Sequence, residues 1–583
     1  MQPTEVLLAS GRQYLFTYDN VGDIRSVTTP SMSRHHFHAV TLFGLRRLIY
    51  RAPAAAGVYV QDHDSDGHLL TQRYPSSHRQ VEYSWDTRGR RVAVHHDWSD
   101  VSFSYDDEDR ETVRKAKIIS LTGDQYSCLV TYERTGSLLS AQRVSFSGAL
   151  STLVAADFRY SYDLYLRPVS IEVTVGGRVL PTQMLAYEDS TGRLSRASPF
   201  VFDRPHRHRE LTRDVNIEIV REFDTRGRMT DVWYRFNNHV VFTVECKFTA
   251  LSQVHQWRRK VRSSDLKAYE HVYSVDGALV EVLENGQSTW RYETDPDGAV
   301  ITVAHYASSR AIVTDPRGAV ESAGDMSYVF DADGFLSTRG DSETFEWDSL
   351  GRLTRAHRHA GYDIRYSYDA HGRLVVRQDV SALSAAVAQF FYGDARFTDR
   401  ITHVYNNTSV SGSVPGVVVR YFYDDAGRLF AMQRDDDEMY YVGLDPFGTP
   451  LVVLNGVGSV VRQFSYDPLG DCLTDSAPDA ALLVFGYRGG VVDWSTRLLM
   501  FHAGRRVYDP FIGRWLTPDY RQVVDNVELL ETEPQLTNLY HNERLWTVPT
   551  LINDSPMTGR LLFVSACVLY SEIQLDTCCF SAQ

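Results

Sequence analysis

Aromatic and polar positions alternate in short bursts along the chain, and the bursts close on the same phrase. In Tyr366-Ser367-Tyr368-Asp369-Ala370-His371-Gly372-Arg373-Leu374 two rings flank one serine. Phe345-Glu346-Trp347-Asp348-Ser349-Leu350-Gly351-Arg352-Leu353 repeats the pattern 21 residues earlier. Period-two alternation places both rings on one face of a strand. The Asp ends that strand, because its carboxylate accepts from backbone N–H groups just ahead. The Gly supplies the positive φ that a turn commonly needs. Arg373-Leu374-Val375-Val376 then opens a return strand rich in branched side chains. Each phrase reads as a β-hairpin with a four-residue connection.

The phrase recurs with variations. Its structural positions are Tyr18-Asp19, Trp85-Asp86 with Gly89, Tyr162-Asp163, and Asp224 with Gly227. They continue at Trp347-Asp348 with Gly351, Tyr368-Asp369 with Gly372, Tyr423-Asp424 with Gly427, and Tyr466-Asp467 with Gly470. A repeat near 21 residues runs through Asp348, Asp369, Asp424, Asp445 and Asp467 around one longer insertion. One hairpin buries too little to stand alone, so neighbours must stack into a continuous sheet that curls or closes to hide its edge. The predicted class is all-β, a β-hairpin spiral barrel. Three stretches break the rhythm. Residues 34–53 suit a short helix or a loop; 251–270 are basic with no sustained period; 404–423 read as an exposed loop between strands.

Composition narrows the partners. A formal net charge of −14 over 583 residues disfavours a nucleic-acid surface. Six cysteines (Cys128, Cys246, Cys472, Cys567, Cys578 and Cys579) are too few for a disulfide scaffold and lack paired metal hooks, and their redox state cannot be read. No secretory leader precedes the repeats, and the longest apolar run, Leu561 to Tyr570, is about half of the ~20 residues a bilayer span needs. No membrane span, metal or cofactor is expected within this chain.

The phrase Tyr-x-Tyr-Asp-x-x-Gly-Arg-Leu resembles the YD, or Rhs, repeat. "GYRGGVVDWSTRLLMFHAGRRVYDPFIGRWLTPDY" (486–520) is similar to the core that closes such arrays; its motif positions are Tyr508, Asp509, Pro510, Gly513, Arg514, Trp515, Pro518 and Asp519. "YLFTYDNVGDIRSVTTPSMSRHH", "RITHVYNNTS", "GRLFAMQRDDDEMYYVGLDPFGTPLVVLNGVG" and "NLYHNE" resemble the YD shell of a teneurin, from about Tyr14 to about Glu543. That likeness implies a YD-repeat shell over 1–485, an Rhs-associated core-like closing segment over 486–543, and a divergent tail over 544–583. It implies a hollow spiral barrel on the extracellular face of a type II single-pass parent protein found mainly in neurons. The implied role is non-enzymatic cell–cell adhesion and synaptic partner matching, through homophilic contact and latrophilin-type receptors. The transmembrane, EGF-like and propeller regions of a teneurin lie outside the chain, and after "TNLYHNE" the family's Asn-Asn-Pro continuation is missing.

Bacterial Rhs cores cleave themselves beside paired Asp residues, so the alternative function is a toxin-encapsulating cocoon with Asp509 and Asp519 as its aspartyl pair. An ordinary turn at Asp509-Pro510 is the plainer reading. Histidines 35, 36 and 38, 95 and 96, 206 and 208, and 357 and 359 have metal-compatible spacing but read as exposed loop residues. Asn406 and Asn407 head two overlapping glycosylation sequons, while Asn553 is followed two residues on by Ser555-Pro556. The basic run 204–214 reads as a solvated loop. A carbohydrate-processing surface finds no carboxylate geometry to support it.

Overall fold

The computed structural model describes residues 2–540, apart from 77, 98, 109, 120–124, 149–152, 207–208, 263–265, 382–385, 408–415, 425, 436–437 and 478–482. Forty-four strands join in one sheet. Strands pair antiparallel with their neighbours in sequence: Tyr362–Tyr368 lies beside Leu353–Arg358 on one edge and Leu374–Asp379 on the other. The hairpin connection is five residues, 369–373, one more than expected. The Gly372 N–H donates to the Asp369 carbonyl (2.8 Å), and Gly372 sits at φ +77°. The extra residue shifts the register between Ser367 and Tyr368, as a glycine bulge after a tight turn does.

Hydrogen bonds between distant hairpins show how the ribbon winds. Ser10 meets Asp276, 266 residues on. Ser349 meets Asp97 at a separation of 252, Val154 meets Gln389 at 235, Arg428 meets Glu210 at 218, and Arg262 meets Gly458 at 196. The separation falls overall, although Arg178 still meets Asp435 at 257, so a second, shorter turn of the spiral is stacked on the first. The apolar clusters follow the same offset: Phe200, Ile217 and Tyr234 pack with Phe422, Phe430 and Tyr441, and Phe158 and Val173 pack with Phe391 and Val418. Each turn supplies the other's missing layer.

The irregular stretches are sheet. Residues 34–53 form strands Arg34–Leu42 and Leu45–Arg51, paired through Leu42 and Leu45. Their alternation was disguised because His35 takes an inward position beside Phe37. In 251–270 the strand Val254–Val261 buries Val254, Trp257, Arg259 and Val261. Arg259 breaks the apolar pattern yet is satisfied, donating to the Phe464 carbonyl at 3.1 Å. The basic run is also paired sheet, Phe200–His206 with Arg209–Arg213. Strands His403–Asn407 and Val417–Tyr423 flank the polar stretch, whose residues 408–415 lie outside the described ones. Among the described residues the only α-helix is Tyr520–Asp525.

Candidate functional site

One unit shows what the repeated residues do. The Asp348 carboxylate accepts from the Leu350 and Arg352 N–H groups (3.0 and 2.9 Å), and its other oxygen takes the Arg352 Nε–H at 2.6 Å. The Arg352 guanidinium then lies 4.6 Å over the ring of Tyr368, in the next unit. The Tyr368 hydroxyl donates back to the Leu353 carbonyl at 2.8 Å. Leu353 stands five residues after Asp348, and the same step recurs: Tyr105 to Arg91, Tyr187 to Pro168, and Tyr392 to Leu374. Where tryptophan replaces tyrosine, at Trp85 and Trp347, the indole N–H donates to Leu69 and Leu336. The second ring therefore needs a polar tip as well as an apolar body. Each unit is bolted to the one before it.

The closing segment lies along the turns of the later units. The four-stranded sheet Val491–Trp515 precedes the helix, and Asp519 caps that helix by accepting from the Gln522 N–H (3.0 Å). Tyr520 packs among Tyr50, Tyr59 and Tyr74 of the first turn, with ring centroids 5.2–6.1 Å apart, and donates to the Asp333 carbonyl of the second. At Gly334 (φ +85°) a side chain would run into the hydroxyls of Tyr540 and Tyr520 and into Pro518. Gly351 faces Thr517, and Gly372 faces Arg505. Gly334 is required by the lid above it as well as by its turn, whereas at Gly351 and Gly372 an added Cβ would make only ordinary contact with the lid.

The core motif holds this lid together. Asp509 is buried, accepting from the Phe511 N–H (2.9 Å), the Arg339 guanidinium (2.9 Å) and the Tyr328 hydroxyl (3.3 Å). The Gly513 N–H closes the Asp509-Pro510 turn onto the Asp509 carbonyl at 2.9 Å. Arg514 is buried and donates to the Val300 carbonyl; desolvation draws its pKa down to about 10. Trp515 stands edge-on to Tyr508 and Phe501, and the Tyr508 hydroxyl donates to the Leu469 carbonyl. Asp519 pairs with Arg506 at 3.2 Å. No hydrogen bond joins Asp509 to Asp519; each is committed to its own arginine. The arrangement is a seal in which Asp509 and Asp519 are held by different arginines.

The model of the teneurin YD-shell family matches residues 1–545. The chain belongs to the teneurin YD-shell family. It is 32% identical over 547 residues to chicken (Gallus gallus) Teneurin-1, which covers 93% of this chain and 19% of that protein. It is 31% identical over 519 residues to human (Homo sapiens) Teneurin-4, covering 88% and 18%, and 25% identical over 546 residues to Drosophila melanogaster Teneurin-m, covering 93% and 19%. The chain thus spans about a fifth of these relatives. A solved structure described as the crystal structure of TcdB2-TccC3-Cdc42 shares the fold, with a TM-score of 0.53 at 14% identity over 93% of this chain and 34% of that one.

The remaining candidates fall on the wall of this YD shell. Most of the histidines are strand residues rather than loop residues: 35, 36 and 38 lie on Arg34–Leu42, 95 and 96 on Arg91–His96, and 357 on Leu353–Arg358, while His359 lies exposed in the turn that follows. His206 ends the strand Phe200–His206 and His208 lies outside the described residues. His35 is buried and bonded to the Tyr50 hydroxyl (2.7 Å); burial holds its pKa down to about 3, so it is a neutral wall component. Asn406 and Asn407 end strand His403–Asn407, half-buried, and the sequon hydroxyls at 408 and 409 lie outside the described residues, as do Asn553 and the tail. Cys128, Cys246 and Cys472 are free thiols. Among the described residues no helix is long and apolar enough to cross a membrane. Sequence reading missed Arg339, Arg377 and Asp493. Asp493 takes the Tyr366 hydroxyl and two Arg377 nitrogens at 2.6–3.1 Å, and although burial raises its pKa, Arg377 outweighs that and the net shift is downward. No local spacing marks these residues, because their partners lie more than 100 positions away.

Proposed function

We propose that this YD shell is a non-enzymatic extracellular recognition module of a teneurin-like type II membrane protein, acting in cell–cell adhesion and neuronal partner matching. The first turn carries the reading. Its strands alternate buried and exposed positions, as in Ala156–Tyr162, so one whole face of the sheet is displayed to solvent on a rigid wall. A standard protein interface of roughly 1,600 Å² occupies only part of a surface this size. One feature stands out on it. Phe43 is 95% exposed at the tip of hairpin Arg34–Arg51 and sits at φ +52°, with Leu42 and Leu45 exposed beside it. An aromatic residue in the left-handed region is disfavoured, and displaying it costs burial as well. A partner that takes up the ring would offset both costs, which suits an anchor residue.

The supporting experiment is a cell-aggregation assay between cells displaying this shell and cells bearing latrophilin-type receptors, or the shell itself for homophilic contact. Aggregation is expected, and Phe43→Asn, which suits the turn better, should weaken it without loss of fold. A folded shell that aggregates neither kind of cell would overturn the reading.

A further inference from the structure

The last two YD units lack the arginine that the other buried ones carry. In the units of Asp348, Asp369 and Asp424 the fourth residue onward is arginine, and its guanidinium meets the carboxylate at 2.6–2.7 Å. In the units of Asp445 and Asp467 that place holds Thr449 and Asp471. Both carboxyls are nonetheless buried. Asp445 accepts from the Phe447 and Thr449 N–H groups (2.8 Å each), and Asp467 from those of Gly470 and Asp471 (2.7 and 2.8 Å).

The closing segment packs onto these two turns. The Arg488 N–H donates to the Thr449 hydroxyl (3.2 Å), and its guanidinium lies 4.8 Å over the Phe447 ring. The Tyr487 hydroxyl donates to the Pro468 carbonyl (2.8 Å), and the Tyr487 ring fills the space a side chain would need at Gly470. Arg497 bridges to Asp471 at 3.0 Å. Two turns without their own cation thus form the floor of the seal.

We propose that these two turns are a proton-operated latch: with Asp445 and Asp467 neutral the segment 484–516 seats firmly, and ionisation of either loosens it. Burial lifts the Asp467 carboxyl to about 7, with the neighbouring Asp471 adding to the rise. Burial likewise lifts Asp445 to about 6. A folded-state value above the ordinary carboxylate range means that the seated form holds a proton the open form releases. The seal is therefore strongest at low pH, loses stability as pH rises above the ordinary carboxylate range near 4, and has lost it by about pH 7.

The groups facing the two carboxyls do not reverse this sign. Around Asp467 stand Asp471, Arg310, Tyr292, Tyr487 and Tyr508. The tyrosines are pushed upward by burial and stay neutral, while Asp471, also raised by burial, is countered by Arg497. Around Asp445 stand Arg488, Cys246, Tyr466 and Tyr487, the thiol and phenols all raised by burial. His271 stacks on Phe447, but burial holds it down to about 4, so it stays neutral above pH 5.

Hydrogen exchange on the full chain tests the latch, with amide rates corrected for intrinsic chemistry between pH 8 and 5.5. Protection of 484–516 should rise on the order of thirtyfold through Asp467 and about fourfold more through Asp445, while a first-turn segment such as 80–105 shows no comparable gain. Asp467→Asn should leave about the fourfold component, Asp445→Asn about the thirtyfold one, and the double variant should lose both, leaving only the smaller contribution of Asp471. Asparagine keeps the acceptor oxygen, so the turns persist, and either single variant is informative if the other misfolds. Protection independent of pH in the parent chain, or an undiminished slope in the double variant, overturns the proposal. The result stands apart from receptor binding.

Discussion

The same phrase lives in two environments. Asp224 and Arg228, in the first turn of the spiral, keep 22% and 21% of their side-chain surface; Asp369 and Arg373, in the second, keep 1% and 3%. The local geometry is nearly identical, with carboxylate–guanidinium distances of 2.6 and 2.7 Å. What differs is the covering. Gly372 lies under Arg505 of the closing segment, and the neighbouring His371 is bonded to Tyr132 of the first turn, while the space around Gly227 is open. Some second-turn strands show it: Pro450–Asn455 is buried on both faces, where first-turn Ala156–Tyr162 alternates. A repeat thus sets the shape of a unit, while stacking sets how much each residue in it matters.

Removing one partner of a buried pair tests this most severely. Arg373→Ala leaves the Asp369 carboxylate buried and should cost about 3–5 kcal/mol in chemical denaturation. Arg228→Ala removes a solvated pair and should cost about 0–1 kcal/mol from that pair. Equal losses would mean that the two environments do not differ energetically.

The glycines sharpen the contrast. Gly227→Ala meets only the left-handed backbone penalty, about 1–2 kcal/mol. Gly334→Ala meets that penalty and must also displace Tyr540, adding about 1–3 kcal/mol. The difference should appear in the same unfolding curves, together with faster exchange at Tyr540.

Acid separates the wall from the seal. His35 has a folded value near 3, below its ordinary range, so the unfolded chain binds protons first as pH falls. Its contribution is intact above about pH 6.5 and should fall by about 2 kcal/mol at pH 5. His35→Asn should lose that component of the pH dependence. The seal over Asp467 moves in the opposite direction across the same window.

The hydroxyls test the contrast with effects smaller than that of the buried ion pair. Tyr368→Phe strands a buried carbonyl at Leu353 and should cost about 1–3 kcal/mol, whereas Tyr187→Phe, at a half-buried site, should cost about 0.5–1.5 kcal/mol.

Much of the fold was legible because its unit is local. Aromatic alternation, the Asp turn and the positive-φ Gly all act within nine residues, so Tyr366 to Leu374 specifies its own hairpin. The connection length escaped by one residue, because a bulge moves register without changing composition. Residues 34–53 escaped because His35 stands where an apolar residue was expected, and 251–270 because Arg259 does; each is tolerated inside only through one distant or cross-strand bond. The seal was legible as a motif, through Tyr508 to Trp515, but not as an arrangement. Arg339 for Asp509, and Arg377 for Asp493, are choices made by stacking.

By itself the sequence determined the repeating hairpin and the all-β class, since each rests on spacings shorter than one unit, and the family, since its distinctive phrases are contiguous. Only the tertiary structure decided which Asp–Arg pairs are buried, which glycines lie beneath a lid, and that Asp445 and Asp467, without an arginine four residues on, are buried under it. The reason is geometric. Adjacent hairpins are bonded through neighbouring residues, but successive turns of the spiral meet at offsets that shrink from 266 to 196, and nothing within 21 residues encodes that distance.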